Sequence, residues 1–296
     1  MLKFNKKFVD IGKEKIAYLE EGSGKEVLLL IHGNMSSSVH YLPMIERLKN
    51  QYKIVAPDLR GFGDSSYNNG FNSIHELADD MILFLEKLGI KKVYVAGWST
   101  GGAVAQVMAA KAPEVIKKVV LIESCSPKGY PIFKKDEKNQ AILGKVYENK
   151  QEMAKDPVQI APAVVTIENK NFDFMDYLWN AVIYTAGNKP TPEDNKVYLE
   201  ETFKERCLVD TDWALATFNI TNEPGFQVNG DGLVNKIVAP ILIIWGEKDI
   251  TVNKYMFDET ARIFSKATKI VNPNSGHSPL IDIPDKLSKD VAAFCK

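Results

Sequence analysis

The sequence predicts an α/β fold, a mostly parallel sheet flanked by helices, with an inserted helical cap. Short apolar runs rich in branched side chains alternate with segments of helical periodicity, a pattern typical of parallel sheets covered by helices. This alternation stops near Pro127 and resumes near Val234, and a gap of about a hundred residues is too long for a connecting loop. We therefore predict a core at residues 1–127 and 234–296 and a helical cap at residues 128–233.

Five apolar runs are predicted as buried strands, because each combines branched side chains with turn residues at its end. They occupy residues 25–34, 52–58, 91–97, 117–124 and 239–249. The segment between the second and third runs is predicted as an amphipathic helix that opens with a capping box of Ser73 and Glu76 and stops at Gly89. One face of this helix is apolar at Leu77, Met81, Leu85 and Leu88.

The long segment between the last two strands has apolar residues at helical spacing. The spacing predicts helices over residues 139–154 and 193–208. These segments are separated by prolines, which break helices, at positions 157, 162, 190 and 192. We expect a small helical unit over one end of the sheet.

Composition and charge exclude several classes of protein. The chain has 296 residues, 45% of them hydrophobic, and a formal net charge of −1, which leaves no basic surface for nucleic acid. No uncharged run approaches the length of a membrane span, and the N-terminal stretch carries charges where a signal peptide needs an apolar run. Cys125, Cys207 and Cys295 are too isolated for a disulfide framework or a metal site, so we expect free thiols in the cytoplasm.

The segment around Ser99 carries a G-x-S-x-G pattern, with Gly97 and Gly101 on either side. It follows a predicted strand and precedes a helix of small residues, which is the setting of a nucleophile elbow. Larger side chains at 97 and 101 would collide with the neighbouring strand and helix, and the helix start directs N–H groups toward developing negative charge. We therefore expect Ser99 to be a nucleophile on a strained turn.

A serine nucleophile needs a base whose pKa is near neutrality, and histidine is the side chain that meets this need. Of the four histidines, His277 lies in a turn-rich loop after a short apolar strand, whereas His32 is expected to brace a loop. The base in turn needs a carboxylate to orient it. Two predicted strand ends offer one, at Glu123 and at Asp249.

Five motifs together resemble the α/β-hydrolase superfamily over the whole chain except the cap. In chain order they are LLLIHGN, PDLRGFGDSS, GWSTGG, WGEKD and SGHSP. The resemblance implies a triad of Ser99, Asp249 and His277, because nucleophile, acid and base follow one another in this order in that fold. Glu123 then becomes the alternative acid.

The resemblance also implies an oxyanion hole made by the backbone N–H groups of Asn34 and Thr100. Met35 replaces Asn34 in this role if the loop is shifted by one residue. The HGN loop resembles that of haloalkane dehalogenases as well. Those enzymes, like the epoxide hydrolases of this fold, attack with an aspartate, so Ser99 argues against both reactions.

The expected activity is hydrolysis of carboxylic esters of small or medium-sized apolar substrates, with no metal or organic cofactor, because the residues themselves supply nucleophile, base and electrophile. Phe172, Phe174 and Trp179 are candidates for the substrate pocket, although such aromatic residues more often form a unit's own core. A serine-dependent lactonase or carbon–carbon bond hydrolase is the alternative within enzymes. A non-catalytic ligand receptor is the alternative outside them.

Overall fold

A computed structural model describes residues 3–296 of the protein. Within this range, eight strands form one sheet and two more form a hairpin. The strands are β1 (Lys7–Asp10), β2 (Lys15–Glu21), β3 (Glu26–Ile31), β4 (Tyr52–Pro57), β5 (Val93–Trp98), β6 (Ile116–Ile122), β7 (Phe133–Lys135), β8 (Ala141–Val146), β9 (Ile241–Gly246) and β10 (Thr268–Asn272).

The sheet has the order β1-β2-β4-β3-β5-β6-β9-β10. In this sheet the pairs β1–β2 and β2–β4 are antiparallel, and the strands β4, β3, β5, β6, β9 and β10 pair in parallel. All five predicted strands belong to this sheet. The predicted α/β fold with a mostly parallel sheet is therefore confirmed.

Helices cover both faces of the sheet. The helices are α1 (Leu42–Leu48), α2 (Ile74–Lys87), α3 (Thr100–Lys111), α4 (Lys150–Met153), α5 (Ala161–Glu168), α6 (Phe172–Val182), α7 (Pro192–Thr202), α8 (Leu208–Ala216), α9 (Lys254–Ile263), α10 (Pro279–Asp282) and α11 (Pro284–Phe294). Along β3, Leu29 and Ile31 pack in one core with α2 and α3, while Leu28 and Leu30 pack in another with α1 and α11. This alternation explains the continuous apolar runs, since both faces are buried. No helix within residues 3–296 is long and apolar enough to cross a membrane.

Helix α2 matches its predicted stripe, but its N-terminal cap differs from the prediction. Leu77, Met81 and Leu85 are buried against the core. The Ser73 hydroxyl does not accept from the helix backbone; it donates to the Glu76 carboxylate over 3.2 Å. That carboxylate also accepts the backbone N–H of Asn72 over 2.9 Å, so it reaches one residue past the capping-box position.

The segment between β6 and β9 carries helices α4–α8, but the predicted helix at 139–154 is wrong over most of its length. Residues 141–146 form β8, which pairs antiparallel with β7. The Asp136 carboxylate accepts the backbone N–H groups of Lys138 and Gln140, and Asn139 adopts a positive φ of 60°. This local turn chemistry favours a hairpin over the helix that the apolar spacing indicates. The second predicted helix is present as α7.

A lysine lies at the centre of three carboxylates that join this segment to the core. The Lys6 ammonium contacts Asp58 at 2.8 Å, Asp64 at 2.9 Å and Glu201 at 2.7 Å. The oxygens of these three residues are close enough together to hold a metal ion, but the Lys6 ammonium occupies the space between them, and Lys204 pairs with Asp64 and Glu201 from outside. The arrangement fastens α7 to the loop after β4.

His40 is buried between the rings of Trp179 and Tyr198, with centroids 5.2 and 4.8 Å away. Its Nδ1 accepts the backbone N–H of Ser37 over 3.1 Å, while Nε2 has no partner within residues 3–296. Burial lowers the pKa of the ring to about 3. His40 is therefore neutral in the folded protein and becomes charged near pH 6.5 when the chain unfolds.

Replacing His40 with phenylalanine should flatten the acid side of the stability curve. A depressed pKa in the folded state gives stability that is present above pH 6.5 and is lost as the pH falls toward 3, because the unfolded chain binds the extra proton. Between these limits the free energy of unfolding of the wild type should fall by up to about 1.4 kcal/mol per pH unit more than that of His40→Phe. Urea unfolding at pH 7, 6 and 5 measures both slopes.

The matched control is His75→Phe, since that ring is half-buried and lies 3.2 Å from Asp231. Its substitution should change the slope less. Equal pH slopes of the unfolding free energy for wild type and His40→Phe would contradict this expectation. They would show that His40 binds its proton as readily in the folded protein as in the unfolded chain.

Candidate active site

Ser99 lies on the turn between β5 and α3 with a strained backbone, at φ 54° and ψ −117°. The turn is held by the Ser99 N–H, which donates to the carbonyl of Ile122 over 2.9 Å. A Cβ atom at Gly97 would lie 2.1 Å from the carbonyl oxygen of Gly101, and one at Gly101 would lie 2.1 Å from that of Ile31. Both glycines are therefore required by close backbone packing, as the sequence pattern predicts.

The structure brings Ser99, His277 and Asp249 into one hydrogen-bonded chain at the carboxyl ends of β5, β10 and β9. The Ser99 hydroxyl lies 3.1 Å from His277 Nε2, and His277 Nδ1 lies 2.8 Å from the Asp249 carboxylate. In this arrangement Nε2 accepts from the hydroxyl and Nδ1–H donates to the carboxylate. The indole N–H of Trp98 donates to the His277 carbonyl over 2.7 Å and helps hold the loop.

Asp249, rather than Glu123, contacts the imidazole. The backbone N–H groups of Thr251 and Val252 donate to its second oxygen over 2.8 and 2.9 Å, which fixes the orientation of the carboxylate. Glu123 is fully buried and lies beside Asp249 rather than beside the imidazole. Burial, followed by the nearby charge of Asp249, raises the pKa of Glu123 well above its usual value, which favours the neutral form of its carboxyl group.

The loop after β3 presents a backbone N–H next to Ser99. Met35 donates its own N–H to Asn34 Oδ1 over 3.1 Å, whereas the Asn34 N–H has no acceptor in the part of the chain that the structure describes. Thr100 opens α3, so its N–H lacks an intrahelical acceptor. These two N–H groups remain the candidates for an oxyanion hole, and Met35 becomes the weaker alternative.

His32 braces this loop. The backbone N–H of Leu59 donates to its Nε2 over 2.9 Å, so Nδ1 carries the proton and donates to the Gly33 carbonyl over 2.7 Å. Burial lowers the pKa of the His32 ring to about 4. The ring is therefore a neutral connector between the loops after β3 and β4.

A cavity of about 360 Å³ opens onto Ser99 and His277 and is lined mostly by apolar side chains from the segment between β6 and β9. Of the three aromatic candidates, Phe174 lines the cavity at its exposed edge. Phe172 packs against Phe203, with ring centroids 4.8 Å apart, and Trp179 packs against His40. The prediction is therefore wrong for Phe172 and Trp179, because Phe172 packs within the segment between β6 and β9 and Trp179 packs onto the core of the sheet.

Tyr130 and Asp212 are among the polar residues of the cavity wall that the sequence analysis missed. The Asp212 carboxylate accepts the side-chain amide of Asn34 over 2.9 Å, across 178 residues of sequence. No local motif marks either residue. Their position depends on how α8 and the loop after β6 pack over the strand ends.

The fold and the site together define a hydrolase built on a parallel sheet covered by helices, with its candidate groups at the carboxyl ends of the strands. The chain belongs to the alpha/beta hydrolase fold family, whose family model matches residues 26–284. Solved structures at 17–23% identity, among them esterases and an enol-lactonase, share the fold with TM-scores of 0.66–0.74 and cover 95–99% of this chain and 86–99% of their own.

The relatives that this chain resembles in sequence differ in the reactions that their names state. Lipase 1 of Psychrobacter immobilis is 25% identical over 293 residues, which are 95% of this chain and 80% of that protein. Haloalkane dehalogenase 2 of Mycobacterium bovis is 25% identical over 296 residues, covering 96% of this chain and 93% of that protein. The dihydrolipoyllysine-residue acetyltransferase component of the acetoin cleaving system of Cupriavidus necator is 32% identical over 123 residues. The matched region is 42% of this chain and only 32% of that relative.

Proposed function

We propose that this hydrolase cleaves carboxylic esters through an acyl-enzyme on Ser99. The observation that carries the proposal is the continuous chain of hydrogen bonds from the Ser99 hydroxyl through His277 to the Asp249 carboxyl group. A hydroxyl in this setting has its base within hydrogen-bonding distance, and the base has its carboxylate. The serine also argues against dehalogenation, since the dehalogenases that the HGN loop resembles attack with an aspartate.

The reaction proceeds in two halves. Ser99 Oγ bonds to the ester carbonyl carbon while its proton passes to His277 Nε2, and the oxyanion accepts from the N–H groups of Asn34 and Thr100. The tetrahedral intermediate collapses, and the leaving alcohol takes the proton from His277. Water then gives a proton to His277 Nε2 as its oxygen bonds to the acyl carbon. The bond to Ser99 Oγ breaks, His277 returns the proton to that oxygen, and the acid leaves.

The segment at 128–233 acts as a cap in this proposal, because most of the cavity lining comes from it. A mostly apolar cavity of about 360 Å³ suits small or medium-sized acyl or alcohol groups. We also propose a reducing, cytoplasmic location, which is supported by three buried cysteines that all remain free thiols.

The test is hydrolysis of p-nitrophenyl esters from acetate to dodecanoate, together with a panel of lactones. Ser99-dependent turnover of the esters supports an esterase, and the preferred acyl chain length reports the size of the cavity. Turnover of lactones alone favours a lactonase. Tight ligand binding without repeated turnover contradicts the proposal and favours a receptor.

Truncating Phe174 to alanine should change the chain-length preference. The side chain stands at the exposed edge of the cavity, so its removal leaves more room for long acyl chains. We expect the ratio of kcat/KM for octanoate to that for butanoate to rise by about three- to tenfold, which corresponds to one or two methylene groups gaining contact. Hydrolysis of the two p-nitrophenyl esters measures the ratio.

Phe172→Ala is the matched control, because Phe172 lies two residues away on the same helix and packs against Phe203 outside the cavity. It should lower the melting temperature and leave the ratio unchanged. Equal ratios in both variants and the wild type would mean that Phe174 does not contact the acyl chain.

A further inference from the structure

Asp212 is a carboxyl group in the wall of the candidate active-site cavity. It comes from α8 and lines the same cavity as Ser99 and His277. One oxygen accepts the Asn34 side-chain amide over 2.9 Å. The other oxygen has no hydrogen-bond partner, and no lysine, arginine or histidine forms an ion pair with Asp212 within residues 3–296.

The neighbours of Asp212 do not neutralise it. Glu205 is buried and forms no salt bridge in the described range, and burial, followed by the charge of Asp212, raises its pKa well above the usual value. Tyr130 also lines the cavity, and the described residues offer no acceptor or donor to its hydroxyl. Burial raises the pKa of Asp212 to about 7. The remaining wall is mostly apolar. Within the described cavity lining, Asp212 is therefore the one wall residue that becomes anionic slightly above neutral pH.

Holding Asn34 does not account for a carboxylate at this position. The Asn34 amide needs one acceptor oxygen, and an asparagine side chain at 212 would supply it without a charge. An anion in this wall lacks full hydration, which disfavours the folded state above neutral pH. It also opposes the negative charge that develops on the oxyanion beside Asn34. Both costs are offset when a substrate brings a donor to the free oxygen.

We propose that the free carboxylate oxygen of Asp212 binds a hydrogen-bond donor of the substrate, a hydroxyl or ammonium group a few bonds from the reacting carbonyl. This inference rests on the proposed ester hydrolysis. Asn34 sets the distance between the reacting carbonyl and the polar substituent of the substrate. Its backbone N–H is the candidate oxyanion donor, and its side chain bonds to Asp212. The preferred ester is therefore a small acyl compound with a polar substituent near its carbonyl, in a pocket that is otherwise apolar.

Three p-nitrophenyl esters of equal shape test this inference, namely 3-methylbutanoate, 3-hydroxybutanoate and 3-aminobutanoate. They differ only in a methyl, hydroxyl or ammonium group at one carbon. At pH 7.5 the wild type should show a kcat/KM at least tenfold higher for the hydroxyl or the ammonium ester than for the methyl ester, since hydrogen bonds to a charged acceptor reach this size. The better of the two identifies the donor as neutral or cationic.

Asp212→Asn should lower that preference about tenfold or more. Asp210→Asn is the matched control, because Asp210 lies on the same helix, pairs with Lys150 and stands outside the cavity. It should retain the wild-type preference. A uniform loss on all three esters in Asp212→Asn would assign Asp212 to positioning Asn34 and overturn the inference, as would an unchanged preference.

A binding measurement distinguishes failure of the proposed ester hydrolysis from failure of the inference about Asp212. Ethyl esters of the same three acids are titrated against Ser99→Ala, which cannot turn them over by the proposed route. Tighter binding of the hydroxyl or ammonium ester, lost when Asp212→Asn is added, supports the inference even without turnover. Equal affinities for all three overturn it whatever the reaction is.

Discussion

Ser99→Ala is expected to lose at least a thousandfold, and up to about a millionfold, of the wild-type kcat on p-nitrophenyl butanoate. The reason is that no other group within residues 3–296 places a hydroxyl at 3.1 Å from His277 Nε2. Without the Oγ atom no acyl-enzyme forms, and the residual rate comes from the oxyanion donors and substrate binding alone. Steady-state kinetics of purified wild type and variant measure the loss.

Ser124→Ala is the control for this substitution. Its hydroxyl lies on the neighbouring strand end and bonds to Gln106 and to the Cys125 carbonyl, so activity should persist. A fluorophosphonate probe should add one adduct to the wild type, at Ser99, and none to Ser99→Ala. Retention of more than about a tenth of the activity in Ser99→Ala would exclude the acyl-enzyme mechanism.

Asp249→Asn should lower kcat by about ten-thousandfold, whereas Glu123→Gln should lower it by less than about tenfold. An asparagine amide at 249 would turn an N–H toward His277 Nδ1, which favours the tautomer whose Nε2 carries a proton. Such a ring cannot accept the Ser99 proton. Glu123 makes no hydrogen bond to the imidazole, and Gln keeps the shape of a side chain whose neutral form is favoured by burial.

The pair of variants is compared with the same ester between pH 6 and 9. A larger loss in Glu123→Gln than in Asp249→Asn would mean that the imidazole turns to the other strand end during catalysis. Similar losses would show that the two acids act as one unit with a shared charge. The expected result, a loss confined to Asp249, assigns Glu123 to the buried support beneath the site.

The parallel strands and the elbow could be predicted because they depend on local chemistry. A strand buried on both faces needs an unbroken apolar run, and Ser99 can take a positive φ next to β3 only if Gly97 and Gly101 lack side chains. Parallel strands end at one edge of the sheet, so loops after β5, β9 and β10 meet there. This geometry explains why the chain order of Ser99, Asp249 and His277 was informative.

Prediction failed where several conformations suit the same local pattern. Residues 141–146 have apolar spacing compatible with a helix, but the Asp136 turn pairs them with β7. Helix α6 carries aromatic side chains on more than one face, and spacing alone does not say which face meets the cavity. Packing against Phe203 and His40 removed Phe172 and Trp179 from the cavity wall.

The sequence by itself determined the buried strands and the glycine-flanked turn at Ser99, because these follow from short-range sterics and from periodicity. The order of the candidate catalytic groups came from the resemblance to the α/β-hydrolase superfamily. Only the tertiary structure decided that Asp249 and not Glu123 meets His277, since this depends on the angle at which two neighbouring strand ends turn. It alone placed Asp212 beside Asn34, 178 residues away, because that contact is made by packing α8 across the end of the sheet.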